Sequence, residues 1–201
     1  MALTGSARLV AALIAILALG SQLTTTILDI NEGMGLLEVL WRKARYFTSL
    51  MVVLTGIYFA VLTRRGSFQG PGFIAAVTSW IIVVGVVYQA LLAADHNPTG
   101  IEAIANEIDH SVVPILTLIF WIAFAPKSGL TFSSPTLWIL CPMGYAVYAL
   151  LRGLVDGKFP YFFLNPETQG WVGVTLYILG LGAFFYVVGA ILVVIAKRMA
   201  R

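Results

Sequence analysis

Charge is scarce in this 201-residue chain: 10% of residues are Asp, Glu, Lys or Arg, against 60% hydrophobic. A soluble globular domain carries about a quarter charged residues, so that class is excluded. There is one cysteine, Cys141, which excludes an intramolecular disulfide and any Cys-rich metal cluster. There are only two histidines, His96 and His110. No zinc-type spacing surrounds them, and a two-haem cytochrome would need more histidines in facing spans. No metal or cofactor is expected. Alternating polar and apolar residues, the mark of a membrane barrel, are absent. So are internal repeats, low-complexity segments and long linkers. The net charge of +3 is small and scattered, and nucleic acid is not an expected partner.

What is present is a series of apolar runs. A spanning helix needs about 20 mostly apolar residues, and only helices or closed barrels satisfy their backbones in lipid. The sequence predicts an all-α polytopic membrane protein, a bundle of six transmembrane helices in a single domain over 1–201. The expected spans are 9–29, 46–63, 73–93, 110–125, 136–155 and 171–196. Arg8 followed by Leu9 to Leu19 resembles a signal peptide. Apolar character continues through Leu23 and Ile27-Leu28 to Ile30, so an uncleaved first span is expected.

Six crossings put both termini on one side of the membrane. That side carries Arg8, Arg64, Arg65, Lys127, Lys197, Arg198 and Arg201; the other carries Arg42, Lys43, Arg45, Arg152 and Lys158. The excess of basic residues favours cytoplasmic termini in the cell (inner) membrane. All nine acidic residues fall on the non-terminal side. The longer connections, near 30–45, 94–109 and 156–170, fall there too, and long loops on one face are where chemistry concentrates. Trp41 and Trp171 read as an interfacial belt. The run Phe159, Tyr161, Phe162, Phe163 reads equally as a belt or a lid.

Two residues at that face could perform hydrolysis. Thr48, in Arg45-Tyr46-Phe47-Thr48, is expected one turn into the second span, with Arg45 three residues earlier on the same face. The alternative is a Thr that bonds back to the carbonyl four residues earlier. Ser49 points about 100° away and lacks that Arg partner. His110, in Asp109-His110-Ser111-Val112-Val113-Pro114, is expected to open the fourth span. Pro114 has no N–H, so the carbonyl of His110 loses its helical donor. Imidazole, with an ordinary pKa of about 6.5, exchanges protons near neutrality. The alternative is an interfacial His with no role. Arg45, Arg152 and Lys158 form a basic mouth that could attract a carboxylate or a headgroup or could snorkel to the interface. Pro142 is expected to kink the fifth span, and Gly182 and Gly189 to allow close helix packing.

Three segments in order resemble one family: Arg45-Tyr46-Phe47-Thr48, His110 through Pro114, and Tyr148 through Gly153 followed by Phe159 through Leu164. The chain is similar to the androgen-induced and androgen-regulated six-span membrane proteins, in particular their bacterial branch. The resemblance covers nearly the whole chain in span count, loop pattern and motif order. It implies a threonine hydrolase cleaving fatty acid esters of hydroxy fatty acids, with the nucleophile at Thr48 and the base at His110. Arg45, Arg152, Tyr161 and Asp29 then become candidates for binding substrate, stabilising the oxyanion or orienting the imidazole, with Asp95 as a further orienting candidate. Lipid or fatty acyl ester substrates are the implied partners. Met51-Val52 departs from the Ser/Thr-Asn pair common in bacterial relatives. A non-catalytic lipid-binding protein or small transporter is the competing class. An intramembrane serine protease would need a Gly-x-Ser-x-Gly nucleophile within a span, and none is present.

Overall fold

The computed structural model describes residues 2–200. The protein is all-α: among the described residues there is no strand, only an isolated bridge between Ala2 and Ser67. Arg201, assigned above to the terminal side, lies outside the described residues. Six helical stretches are long and apolar enough to cross a membrane: Gly5–Asn31, Phe47–Arg65, Pro71–Asp95, Gly100–Phe124, Ser134–Asp156 and Pro166–Met199. The chain is a multi-pass membrane protein. Its contacts divide it into two compact units, Met1–Gly129 and Leu130–Arg201.

In the first unit, α1 (Gly5–Asn31) starts where the Thr4 hydroxyl accepts from the Ala7 amide, an N-cap that satisfies an otherwise orphaned donor. α1 packs most extensively along α3 (Phe47–Arg65). The reason is a stripe of small residues: Ala7, Ala11, Ala15 and Ala18 are all buried, and small side chains let helix backbones approach closely. α2 (Leu36–Lys43) is a short amphipathic helix between them. α4 (Pro71–Val87) begins with Pro71, whose missing N–H costs nothing at a helix start. It continues as a π-helical turn, Tyr88–Leu92, and a 3₁₀ turn, Ala93–Asp95. Within Pro71–Asp95, 67% of the most apolar 18 residues are buried, against 28–39% in the other five. It is therefore the inner helix of its unit.

The fourth span departs from expectation. It begins at Gly100, ten residues before His110, as α5 (Gly100–Glu107), a π-helical turn (Ile108–Val112) and α6 (Val113–Phe124). Glu102, Asn106, Glu107 and Asp109 make this stretch read as a polar loop. However, Ile101, Ile104, Ala105 and Ile108 recur at helical spacing, and that periodicity decides the conformation. The connection near 30–45 likewise contains α2. The non-terminal connections are largely helix rather than open loop.

The second unit contains α7 (Ser134–Trp138), α8 (Leu140–Asp156), a 3₁₀ turn (Phe162–Leu164) and α9 (Pro166–Met199). The break between α7 and α8 falls at Ile139. Pro142 explains it, because the Trp138 carbonyl has no amide four residues on. α8 ends at Gly157 in the left-handed conformation, φ 68°, which an L side chain resists. α9 is interrupted at Gly170, φ 65°, so its unbroken rod starts at Trp171. Gly189 lets α9 close on α7: a Cβ there would come within 3.0 Å of Pro135.

Candidate functional site

His110 is held by groups from three stretches of chain. Pro114 removes the donor its carbonyl would use, and the backbone responds with the π-helical turn, in which the Val113 amide reaches back five residues to Ile108. Such single π turns recur at functional sites. The carbonyl of His110 lies against Gly85 of α4, where a Cβ would come within 2.6 Å of it. No side chain fits at 85 without moving that backbone. The imidazole stacks on Tyr88, with ring centroids 3.7 Å apart and planes 20° from parallel. Nδ1 of His110 lies 3.0 Å from the Asn106 carbonyl. A carbonyl can only accept, so Nδ1 carries the proton and, in the neutral ring, Nε2 carries the lone pair.

The wall behind the imidazole is itself bonded. Asn106 Nδ2 donates to the Tyr88 hydroxyl at 2.8 Å, and that hydroxyl lies 3.1 Å from Nδ1 of His96. With one lone pair taken by Asn106, the hydroxyl can direct its own proton to His96. Gln89 Nε2 donates to Ser111 Oγ at 3.2 Å, joining the two π-helical turns a second time. His96, with no role in the sequence reading, thus fixes Tyr88.

Asp109 points the other way, into α1, and is only 7% exposed. Its two oxygens accept from Ser21 Oγ and from Gln22 Nε2, the latter at 2.5 Å. The Gln22 carbonyl accepts from Lys43 Nζ at 3.1 Å, and Lys43 also donates to Thr25 Oγ1. One turn further on, Asp29 pairs with Arg42. Burial pushes the Lys43 ammonium below the usual lysine range, against the pull of Asp29 and Asp109. The bond to Asp29 raises Arg42 above its ordinary value. Asp29 therefore serves α2, and the group that fixes the His110 tautomer is a backbone carbonyl.

Thr48 is half-buried in the first turn of α3, and the turn bearing His110 packs against α1, α4 and α3. The two residues lie at the same end of the unit, and Nδ1 of the imidazole is taken by the Asn106 carbonyl. Arg45 is buried in the turn before α3 rather than on its helical face. In the second unit Arg152 does not snorkel. It is 6% exposed and donates to the Tyr148 hydroxyl at 2.8 Å, with Asp156 3.6 Å away. Lys158 is exposed. Tyr161 stacks on Phe163 with centroids 5.0 Å apart, and Phe163 also meets Phe162 and Tyr177. Phe159 lies over Gly153, where a Cβ would meet its ring at 2.3 Å. The aromatic run is a packed cluster with Phe163 buried.

Among the described residues no group of three or more metal-ligating side chains comes together. Compared with family models, curated proteins and solved structures, the chain has no match.

Proposed function

We propose that the protein is an integral membrane hydrolase of fatty acyl esters, with Thr48 as nucleophile and His110 as general base. The observation that carries this reading is the state of His110. Its Nδ1–H is committed to the Asn106 carbonyl and its ring is clamped on Tyr88, so Nε2 is the basic atom. A threonine hydroxyl is a weak nucleophile until a base takes its proton. In the proposed reaction Nε2 takes the Thr48 proton as Oγ1 attacks the ester carbonyl. The same proton passes to the departing alcohol. Water, deprotonated by Nε2, then releases the fatty acid and restores the hydroxyl. Thr48 lies at the amino end of α3, where the helix dipole favours the negative charge that develops on Oγ1. Buried Arg45, three residues away, adds positive potential at that end. The acyl chains are met by apolar helices in a bilayer, with the termini cytoplasmic and the reacting face on the opposite side of the inner membrane.

One observation favours a second reading, a lipid-binding protein without catalysis. An apolar groove runs between α1 and α5, lined by Ile16, Gly20, Thr24, Ile101 and Ile104. One experiment separates the two. Purified wild-type protein should label with a fluorophosphonate probe and release free fatty acid from acyl esters. Thr48→Ala and His110→Ala should each lose at least 10²-fold of both, the usual scale for a general base. Undiminished labelling of Thr48→Ala would remove Thr48 from the mechanism. Binding of ester by the wild type without fatty acid release would establish the second reading.

A further inference from the structure

We infer that α2 is a membrane-surface helix whose exposed apolar edge (Leu36, Leu37, Leu40 and Trp41) inserts into the headgroup–acyl boundary of the leaflet at the non-terminal face. The eight residues of α2 divide into three faces. At about 100° per residue, Leu36, Leu40, Leu37 and Trp41 fall at about 0°, 40°, 100° and 140° around the axis. Glu38 falls at about 200°, Arg42 at 240°, Val39 at 300° and Lys43 at 340°.

The face from 240° to 340° belongs to the protein. Val39 is fully buried. Arg42 reaches Asp29, and Lys43 reaches Gln22 and Thr25, all on α1. These three attachments fix the rotation of α2 about its own axis. The opposite arc is then forced outward, and its exposure is large: 82% for Leu37, 61% for Trp41, 54% for Leu36 and 49% for Leu40. Four such side chains on two turns would be an unfavourable surface in water. Glu38, between the two faces, is the one exposed acid of the helix and marks the side that faces water.

Chain geometry says what covers the apolar arc. α1 ends at Asn31 and α3 begins at Phe47, and both are membrane-crossing helices. α2 starts five residues after one and ends four residues before the other. Tethers that short confine it to the level at which the spans leave the hydrocarbon. Exposed Leu23, Ile27 and Ile30 carry the apolar surface of α1 up to that level, so the hydrocarbon reaches the depth to which the tethers confine α2. A helix with one strongly apolar face, a tryptophan at its edge and its charges turned away is the kind that lies in an interface. This inference does not depend on the hydrolase reading.

Spin-label accessibility tests it. Leu37→Cys, Leu40→Cys and Glu38→Cys, each in a Cys141→Ala background, are labelled with a nitroxide and reconstituted into phosphatidylcholine vesicles. All three substituted side chains are exposed, so the fold should survive. A Cys141→Ser background serves where Cys141→Ala does not yield monodisperse protein. The labels at 37 and 40 should collide with oxygen several-fold more, and with a water-soluble nickel chelate several-fold less, than the label at 38. Equal nickel accessibility at 37 and 38 would place the arc in water and overturn the inference. Protection of 37 from both reagents would place it against protein and overturn it equally.

Discussion

The inner face of α1 changes character halfway along. Toward the terminal side it presents Ala7, Ala11, Ala15 and Ala18; toward the other it presents Ser21, Gln22, Thr25 and Asp29. The first half meets α3 through close packing, with Gly56 against Ala18 and Leu19. The second half meets Asp109, Lys43 and Arg42 through hydrogen bonds and an ion pair. The ends differ in the same way. At the terminal end, charged side chains close off helix ends: Arg8 Nε donates to the Thr63 carbonyl, and Lys127 donates to the last carbonyls of α6. At the other end, charges turn inward between helices. Polar groups inside a membrane protein are costly, so this asymmetry marks where the molecule has something other than packing to do.

Two glycines give the sharpest test of that difference. A Cβ at Gly56 would meet the Leu19 side chain at 2.7 Å, whereas one at Gly85 would meet the His110 carbonyl at 2.6 Å. Leu19 can change rotamer; a backbone carbonyl in a helix cannot. Gly85→Ala should displace the imidazole and lower fluorophosphonate labelling on the order of 10²-fold, the cost of about 1 Å of misplacement. Gly56→Ala should leave labelling within about 2-fold and cost at most the ~1–3 kcal/mol of an overpacked contact. Equal effects of the two on labelling would mean that the His110 turn is not held by α4.

Asp109 carries the next largest effect. Asp109→Ala strips the acceptor from Gln22 Nε2 inside the unit, while Ser21 Oγ keeps the Ala18 carbonyl at 3.1 Å, and an orphaned buried donor costs about 1–3 kcal/mol. Asp109→Asn should cost less, because the Gln22 amide can turn its oxygen toward the new NH₂. Thermal unfolding in detergent should rank wild type above Asn and Asn above Ala. Asn ranking with Ala would mean that charge, rather than acceptor count, holds this cluster.

Much of this was legible in the chain. Six apolar runs give six membrane-crossing helices, because length and hydropathy alone decide that question. Pro142 and Pro114 marked two of the interrupted helices, since a missing amide has a fixed consequence four residues upstream. The polar face of α1 went unread: Ser21, Gln22, Thr25 and Asp29 stand at offsets of one, four and eight, but the high average hydropathy of the span hides them. α5 was hidden for the opposite reason: its acids lower the average while Ile101, Ile104 and Ile108 keep the helical period. The partners of His110 from other spans were not readable: Tyr88 and Gly85 reach it only through the packing of α4 against α6. The Asn106 carbonyl, four residues back on the same span, follows once that span starts at Gly100.

The smallest effect lies at the terminal end. Lys127 donates to the carbonyls of Trp121 and Ala125 and sits 4.5 Å above the Trp121 ring. Burial lowers its pKa from 10.5 to about 8. The sign follows from the proton count. Between about pH 8 and 10.5 the unfolded chain holds a proton at Lys127 that the folded chain has released, so stability rises with pH across that window. Half-exposure keeps the gain small. The chemical consequence is easier to read: near pH 8 about half of the Lys127 amines are neutral, against well under a hundredth for an ordinary lysine. Acetylation followed by mass spectrometry from pH 6.5 to 10 should give a midpoint near 8 at Lys127. A midpoint above 10 would mean that its ammonium stays in water and that the terminal end is not capped by this side chain. The contrast between a capped end and an inward-turned end would then rest on Arg8 alone.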